Sequence, residues 1–220
     1  MGVPTRGPGL ELPPGEVREV LGAFVLAEAR QPGEVAVALG PQERKLLDDM
    51  PWPLRRAEWL AGRRVAKRLL AAALSLDEGR VEVLPLDSGA PRVWVDGAPR
   101  ADVVLNLSHT RGWAVAAVAH APVGVDACDD ADGPRLERIG RRVFSPGEAE
   151  GCGAHDSAQR QAAVWALKEA GLKLRIGGIF DPGARSVRVE SLEPPRVADP
   201  SMRVALLRLP SAAVAVAREA

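Results

Sequence analysis

The chain has 220 residues, with 29 basic and 29 acidic side chains, formal net charge +0 and 46% hydrophobic residues. This balance supplies a core for one ordinary domain or two small ones and argues against a general nucleic-acid-binding surface, while leaving room for a local basic pocket. Cys128 and Cys152 make neither a disulfide framework nor a zinc spacing; no run approaches the roughly 18 apolar residues of a membrane span, and no signal segment opens the sequence, so a soluble cytoplasmic protein is expected.

Residues 1–16 hold four prolines and four glycines and read as a loose arm. Apolar runs at Val20–Ala29 and Glu34–Ala38, separated by Gln31-Pro32-Gly33, predict two strands joined by a turn. From Pro41 the pattern is helical, and Pro53 sits where a first helical position tolerates it, ahead of a long amphipathic stretch over Arg55–Leu76. Short strands follow at Arg80–Leu84, Arg92–Val95, Val103–Ser108, Trp113–His120 and Val123–Cys128, then a polar break at Asp129–Pro134. Helices are expected around Arg135–Val143 and Gln159–Ile176, and strands near Val187–Leu192, Arg203–Leu209 and Ala212–Ala217.

That order predicts an α+β fold of two similar halves, each packing a long helix on a small, mainly antiparallel sheet. The expected division is the arm over 1–16, an N-terminal half over 17–118 and a C-terminal half over 119–220. An internal echo agrees with two copies of one unit. Leu39-Gly-Pro41-Gln-Glu43 matches Phe144-Ser-Pro146-Gly-Glu148 at an offset of 105, and Trp59 matches Trp165 at 106.

Only four lysines occur, and two of them, Lys168 and Lys173, lie in one stretch with Trp165 and Glu169. At 3.6 residues per turn, Trp165, Glu169, Leu172 and Ile176 share a face, an expensive place for a carboxylate. The plain alternative is a surface pair, since Glu four residues before Lys is a favourable helical order. Asp126 ends an apolar strand and shares a face with Cys128 and Asp130. It is either part of a solvated acidic turn or one ligand of a hard divalent cation. Ser108 and His109 end another strand, where they are turn residues or phosphate contacts. They form no hydrolase dyad, because strand neighbours point to opposite faces and no nucleophile elbow is present. Arg56, Arg63 and Lys67, spaced by seven and four, make one basic helical face that is either solvated or a phosphate clamp.

In order along the chain stand a basic helix, Ser88-Gly89-Ala90-Pro91, Leu105-Asn-Leu-Ser108-His109-Thr110, Gly124-Val125-Asp126, Phe144-Ser145-Pro-Gly-Glu148 and Trp165-Ala-Leu-Lys168-Glu169-Ala-Gly-Leu-Lys173. This series resembles the Sfp-type 4′-phosphopantetheinyl transferases, whose pattern is a G-x-P turn, a strand ending S-H-S/T, then G-(V/I)-D-x-E, F-S-x-x-E and W-x-x-K-E-x-x-x-K. The match runs from about Arg55 to Ile179.

The resemblance implies coenzyme A as substrate, bound between two similar halves, and Mg²⁺ held by Asp126 and Glu169. A carrier-protein serine attacks the β-phosphate and 3′,5′-ADP leaves. It further implies that Glu169 helps deprotonate the serine, that Lys173 stabilises the leaving phosphate and that Lys168 neutralises pyrophosphate charge. Ser108, His109, Arg56, Arg63 and Lys67 would contact the cofactor, and Glu148 would be a structural acid. The implied partners are acyl or peptidyl carrier proteins of polyketide, nonribosomal peptide or fatty-acid metabolism, served by a monomer with no nucleic-acid or membrane partner.

Three positions depart from the family pattern. Cys128 replaces the usual second acid, a poor Mg²⁺ ligand for which Asp129, Asp130 or water would stand in. Ala90 replaces the usual turn lysine, and Gly171 stands where a large residue is common. These departures keep open an alternative, a degenerate member that binds a carrier protein or coenzyme A-like ligand without transfer, or does other chemistry on a carrier-bound intermediate. An unrelated metal-dependent phosphatase or nuclease is disfavoured, because dense acidic clusters are missing.

Overall fold

The computed structural model describes residues 9–30, 36–145, 148, 157–176 and 186–220, without the side chains of Arg141, Arg142 and Ile176. The expected turn at Gln31-Pro32-Gly33, Cys152 and the first eight residues of the arm lie outside these. Contacts divide the chain into two units, Pro14–Val123 and Gly124–Ala220, the latter including the segment that ends at Pro13. Among the described residues no helix is long and apolar enough to cross a membrane.

Where described, the supposed arm contains a strand: β1 (Leu10–Glu11) pairs in parallel with Leu207 and Arg208, and Leu12 is buried. Gly9, at φ +116, lets this segment pass close to the chain, since a Cβ there would lie 2.8 Å from the carbonyl O of Leu206.

The Pro14–Val123 unit begins with β2 (Arg18–Val20) and β3 (Ala23–Ala29). The single strand expected over Val20–Ala29 is thus cut by a two-residue hairpin. Val20 faces Ala23, and Leu21 and Gly22 take φ 53 and 72, the two positive values of a type I′ turn. Leucine rarely adopts that conformation, which hid the turn. The strand expected over Glu34–Ala38 is absent from its described part, residues 36–38. Both edges of β3 are already paired, and Leu39 N–H bonds the Val37 carbonyl in a tight turn.

Helices α1 (Pro41–Asp48) and α2 (Pro53–Leu74) follow, and α2 stops at Ser75, whose left-handed φ of 54 ends the helical path. Then come β4 (Val81–Pro85), β5 (Pro91–Val95), β6 (Ala98–Pro99), β7 (Val104–His109) and β8 (Trp113–Ala119). Strands β4–β6 form a three-stranded antiparallel sheet, and β2-β3-β8-β7 a four-stranded one. The apolar face of α2 (Val65, Ala66, Leu69, Leu70) packs with Leu26, Val81, Val83, Val93, Leu105 and Ala116.

The second unit holds β9 (Val123–Asp129), α3 (Gly133–Val143), α4 (Ser157–Ile176), the hairpin β10 (Val189–Leu192) and β11 (Pro195–Val197), then β12 (Met202–Leu209) and β13 (Ala212–Glu219). Its sheet runs β1-β12-β13-β9. Alanines at 162, 163, 166 and 170 let α4 settle close to Ala213, Ala215 and Ala217 of β13. The α+β reading therefore holds, with β1 added in parallel to β12.

The two units repeat one buried device. In the first, Glu43 accepts bonds from its own turn (Gly40 N–H, 3.0 Å), from Lys67 Nζ on the long helix (2.6 Å) and from Val83 N–H of β4 (2.9 Å). In the second, Glu148 accepts from Ser145 N–H (2.7 Å), Lys168 Nζ (2.7 and 2.8 Å) and Val189 N–H of β10 (2.6 Å). Each carboxylate thereby ties a turn, the long helix and a strand together, and each lysine is 0% exposed. Full burial of lysine is tolerated only with such pairing.

Gly124 fixes where α4 rests on β9. A Cβ there would come 1.9 Å from the Ala170 carbonyl O and 2.7 Å from Leu174 N. Gly124→Ala is expected to destabilise the fold by about 3 kcal/mol or more, because backbone cannot yield as a flexible side chain does. A shift below about 1 kcal/mol in chemical denaturation would refute this close approach.

Candidate functional site

Alternation along β9 points Gly124, Asp126 and Cys128 to the side covered by α4. Gly124 meets the backbone at Ala170 and Leu174, and the adjoining helical positions 169 and 173 come over Asp126. The Lys173 ammonium donates to Asp126 Oδ1 at 2.8 Å and to the Val125 carbonyl O at 3.1 Å. Asp126 is 7% exposed.

Glu169 is 5% exposed, and among the described residues it has no hydrogen-bond or ion-pair partner. Its carboxyl is pushed up to about 7, first by burial and then by the neighbouring Asp126, with Lys173 opposing. Two carboxylates thus share one ammonium in a largely dry place. A buried acid left without a partner is costly, and a hard divalent cation bound by both oxygens would supply the missing charge. The donor set therefore fits such an ion. Among the described residues no three His, Cys, Asp or Glu side chains converge there, so the donor set is this pair of carboxylates.

The next residue on this face of β9 contributes no oxygen. Cys128 is buried among Leu136 and the α4 side chains, and burial, reinforced by nearby acids, holds its thiol well above the ordinary range. Of the suggested stand-ins, Asp130 is gripped by Arg208 through two bonds of 3.0 and 2.6 Å. The acidic turn is thus an anchored corner of the sheet rather than a solvated loop. Asp129 is buried at 7% exposure.

Burial on α4 is not confined to the expected stripe: Trp165 is partly buried, residues 166–172 are all buried, and the Ile176 side chain lies outside the described residues. Gly171 has a packing reason, since a Cβ there would lie 3.0 Å from both Met202 Sδ and Val187 Cγ1. Lys168 points away from Asp126, with its Nζ enclosed by Glu148 and the Val187 carbonyl O at 2.6 Å. It is adjacent to Glu169 in sequence yet on another side of the helix.

In the Pro14–Val123 unit, the face formed by Arg56, Arg63 and Lys67 turns toward α1 rather than standing free. Lys67 is sealed against Glu43, and Arg56 Nη1 donates to the Leu47 carbonyl O at 2.5 Å near the end of α1. Arg63 is 7% exposed, lies 4.3 Å over the Trp59 ring and comes 3.9 Å from Glu43 Oε1. Burial lowers its guanidinium to about 10, with Glu43 opposing, so it stays cationic at neutral pH.

Ser108 is buried, and His109 at the end of β7 brings Nε2 to 3.8 Å from Glu58 Oε2. Arg30 and Arg55 approach the same carboxylate at 3.7 and 3.9 Å, and Arg30 also donates to the Thr110 carbonyl O at 2.5 Å. Glu43, Glu58 and Arg30 were not singled out from sequence. Only Glu43 left a signal there, its place in the echo with Glu148. The Ser88–Pro91 turn closes β4 onto β5, with Gly89 at φ 83.

The sequence profile of the 4′-phosphopantetheinyl transferase superfamily matches residues 122–213. The chain is 37% identical over 103 residues to a holo-(acyl-carrier-protein) synthase of Geobacillus kaustophilus, across 41% of this chain and 76% of that protein. It is 27% identical over 168 residues to the 4′-phosphopantetheinyl transferase HetI of a Nostoc species, across 74% of this chain and 70% of that one.

Proposed function

This chain belongs to the 4′-phosphopantetheinyl transferase superfamily, and from that membership we propose that it moves the 4′-phosphopantetheine group of coenzyme A onto a serine of an acyl or peptidyl carrier protein. The observation that carries the reading is the pair of buried carboxylates, Asp126 and Glu169, with Lys173 beside them and Glu169 unpartnered among the described residues. We place Mg²⁺ on Asp126 and Glu169, where it would neutralise charge on the pyrophosphate.

Glu169, poised near neutrality, accepts the serine proton, directly or through water. The serine oxygen bonds to the β-phosphorus while the bond to the 3′,5′-ADP oxygen breaks. Lys173, beside Asp126, is proposed to stabilise the phosphate that departs. Lys67 and Lys168, each enclosed with a glutamate, support the site by holding the frame. Ser108, His109, Arg56 and Arg63 are proposed as coenzyme A contacts of the first unit. The setting we propose is cytoplasmic polyketide, nonribosomal peptide or fatty-acid synthesis.

Cys128 favours one other reading, binding of a carrier protein or coenzyme A-like ligand without transfer, because it withdraws an oxygen ligand from the site. One experiment separates the two. The protein is incubated with coenzyme A, Mg²⁺ and a panel of apo carrier proteins, and the carriers are weighed intact. A gain of one phosphopantetheinyl group, lost when a chelator is added, is expected. No gain on any carrier, while a reference transferase modifies the same panel, would sink the transfer reading.

A further inference from the structure

The Lys173 ammonium occupies the acid that a cation would need. It is held at 2.8 Å by Asp126 Oδ1 and at 3.1 Å by the Val125 carbonyl O, on a side chain only 14% exposed. We infer that Lys173 is a built-in counter-ion of Asp126, which competes with the divalent cation for that carboxylate and is released toward phosphate when the cation binds. This rests on the reading of Asp126 and Glu169 as the cation site, and it assigns Lys173 a second role besides steadying the leaving phosphate.

The physical case starts from charge. Asp126 and Glu169 carry up to two negative charges, and the one ammonium is bonded to Asp126. A divalent ion entering between them is repelled by an ammonium already touching one ligand, and it must take over the oxygen that ammonium holds. The lysine side chain can yield, because its charge sits at the end of a flexible four-carbon stem. Once displaced from Asp126, the ammonium is attracted to the phosphates of a bound substrate. Cation and phosphate ligand therefore bind cooperatively, because each relieves a cost that the other meets alone. Before substrate arrives, the lysine keeps the buried aspartate satisfied and the cation weakly held. The spacing that makes this possible is local: Lys173 lies four residues after Glu169, on the same side of α4, over the strand that carries Asp126.

The test uses Mn²⁺ alone, titrated into the full-length chain without coenzyme A and followed by calorimetry or by the electron paramagnetic resonance of free Mn²⁺. Lys173→Met keeps the stem and removes the charge, and it should bind Mn²⁺ about tenfold or more tightly than the parent. Lys173→Arg retains a cation and should stay within about threefold of the parent. Asp126→Asn should abolish binding in either background, and melting curves establish that each variant is folded. Saturable Mn²⁺ binding that Lys173→Met leaves unchanged or weakens overturns the counter-ion role alone. No saturable binding by the parent or by Lys173→Met overturns the cation site itself, and the counter-ion role with it.

Discussion

Glu169→Gln is expected to lower transfer by about 10³-fold or more while leaving the protein at least as stable as before. The activity loss follows from removing a proton acceptor and a proposed cation ligand in one step. The stability outcome follows from the environment. Glu169 is buried and has no hydrogen-bond or ion-pair partner among the described residues, and its carboxyl stands near 7 against an ordinary value of 4.5. An acid whose folded value is raised binds more protons in the native state than in the unfolded one over that interval. Its contribution to stability is therefore full below about 4.5 and is lost as pH rises through about 7. Glutamine carries no such charge. In chelator-treated protein, melting profiles of the parent should decline across this window relative to those of Glu169→Gln, and the two curves should run parallel above it. A variant that loses activity together with stability at every pH would show that Glu169 is structural.

The second large effect concerns the repeated glutamate–lysine device. Lys168→Met removes the buried ammonium that the Glu148 carboxylate holds at 2.7 and 2.8 Å, and should cost about 3–5 kcal/mol in chemical denaturation. Glu148→Gln removes the carboxylate that faces the buried Lys168 ammonium and should cost a similar amount. The double variant should be less damaging than the sum of the two, because the charge left behind by each single change is removed by the other. The same pattern is expected of Glu43 and Lys67 in the Pro14–Val123 unit. Single variants that shift stability by less than about 1 kcal/mol would show that neither pair clamps its helix.

This device marks how far the internal echo could be read from sequence. The glutamates repeat at an offset of 105, as the short match around Pro41 and Pro146 indicated. Along the long helices, however, the tryptophans repeat at 106 while the paired lysines repeat at 101. The tryptophan match alone would set Lys168 beside Gly62. What the units conserve is the geometry of a buried pair rather than the count of residues along the helix.

Element types were the most legible feature, because hydrophobic period depends on the chain's own neighbours. Helix α2 and most strands lie within a few residues of expectation, whereas the Leu21–Gly22 hairpin has a leucine where Asn, Asp or Gly is usual and β1 pairs with a strand nearly two hundred residues later. The acid on an apolar stripe, Glu169, was also visible, since its cost is set by residues three and four positions away on one helix.

By itself, then, the sequence determined an α+β chain with a carboxylate on an apolar stripe of α4 and an aspartate on β9, in the motif order of its family. Tertiary structure alone decided where the charges go. Of the five Arg and Lys side chains implied by sequence as site candidates, Lys67 and Lys168 are sealed against glutamates 24 and 20 residues away in sequence, while Lys173 reaches an aspartate 47 residues away. A residue type fixes the sign of a charge, but its partner is set by whichever distant strand or turn packing brings within about 3 Å.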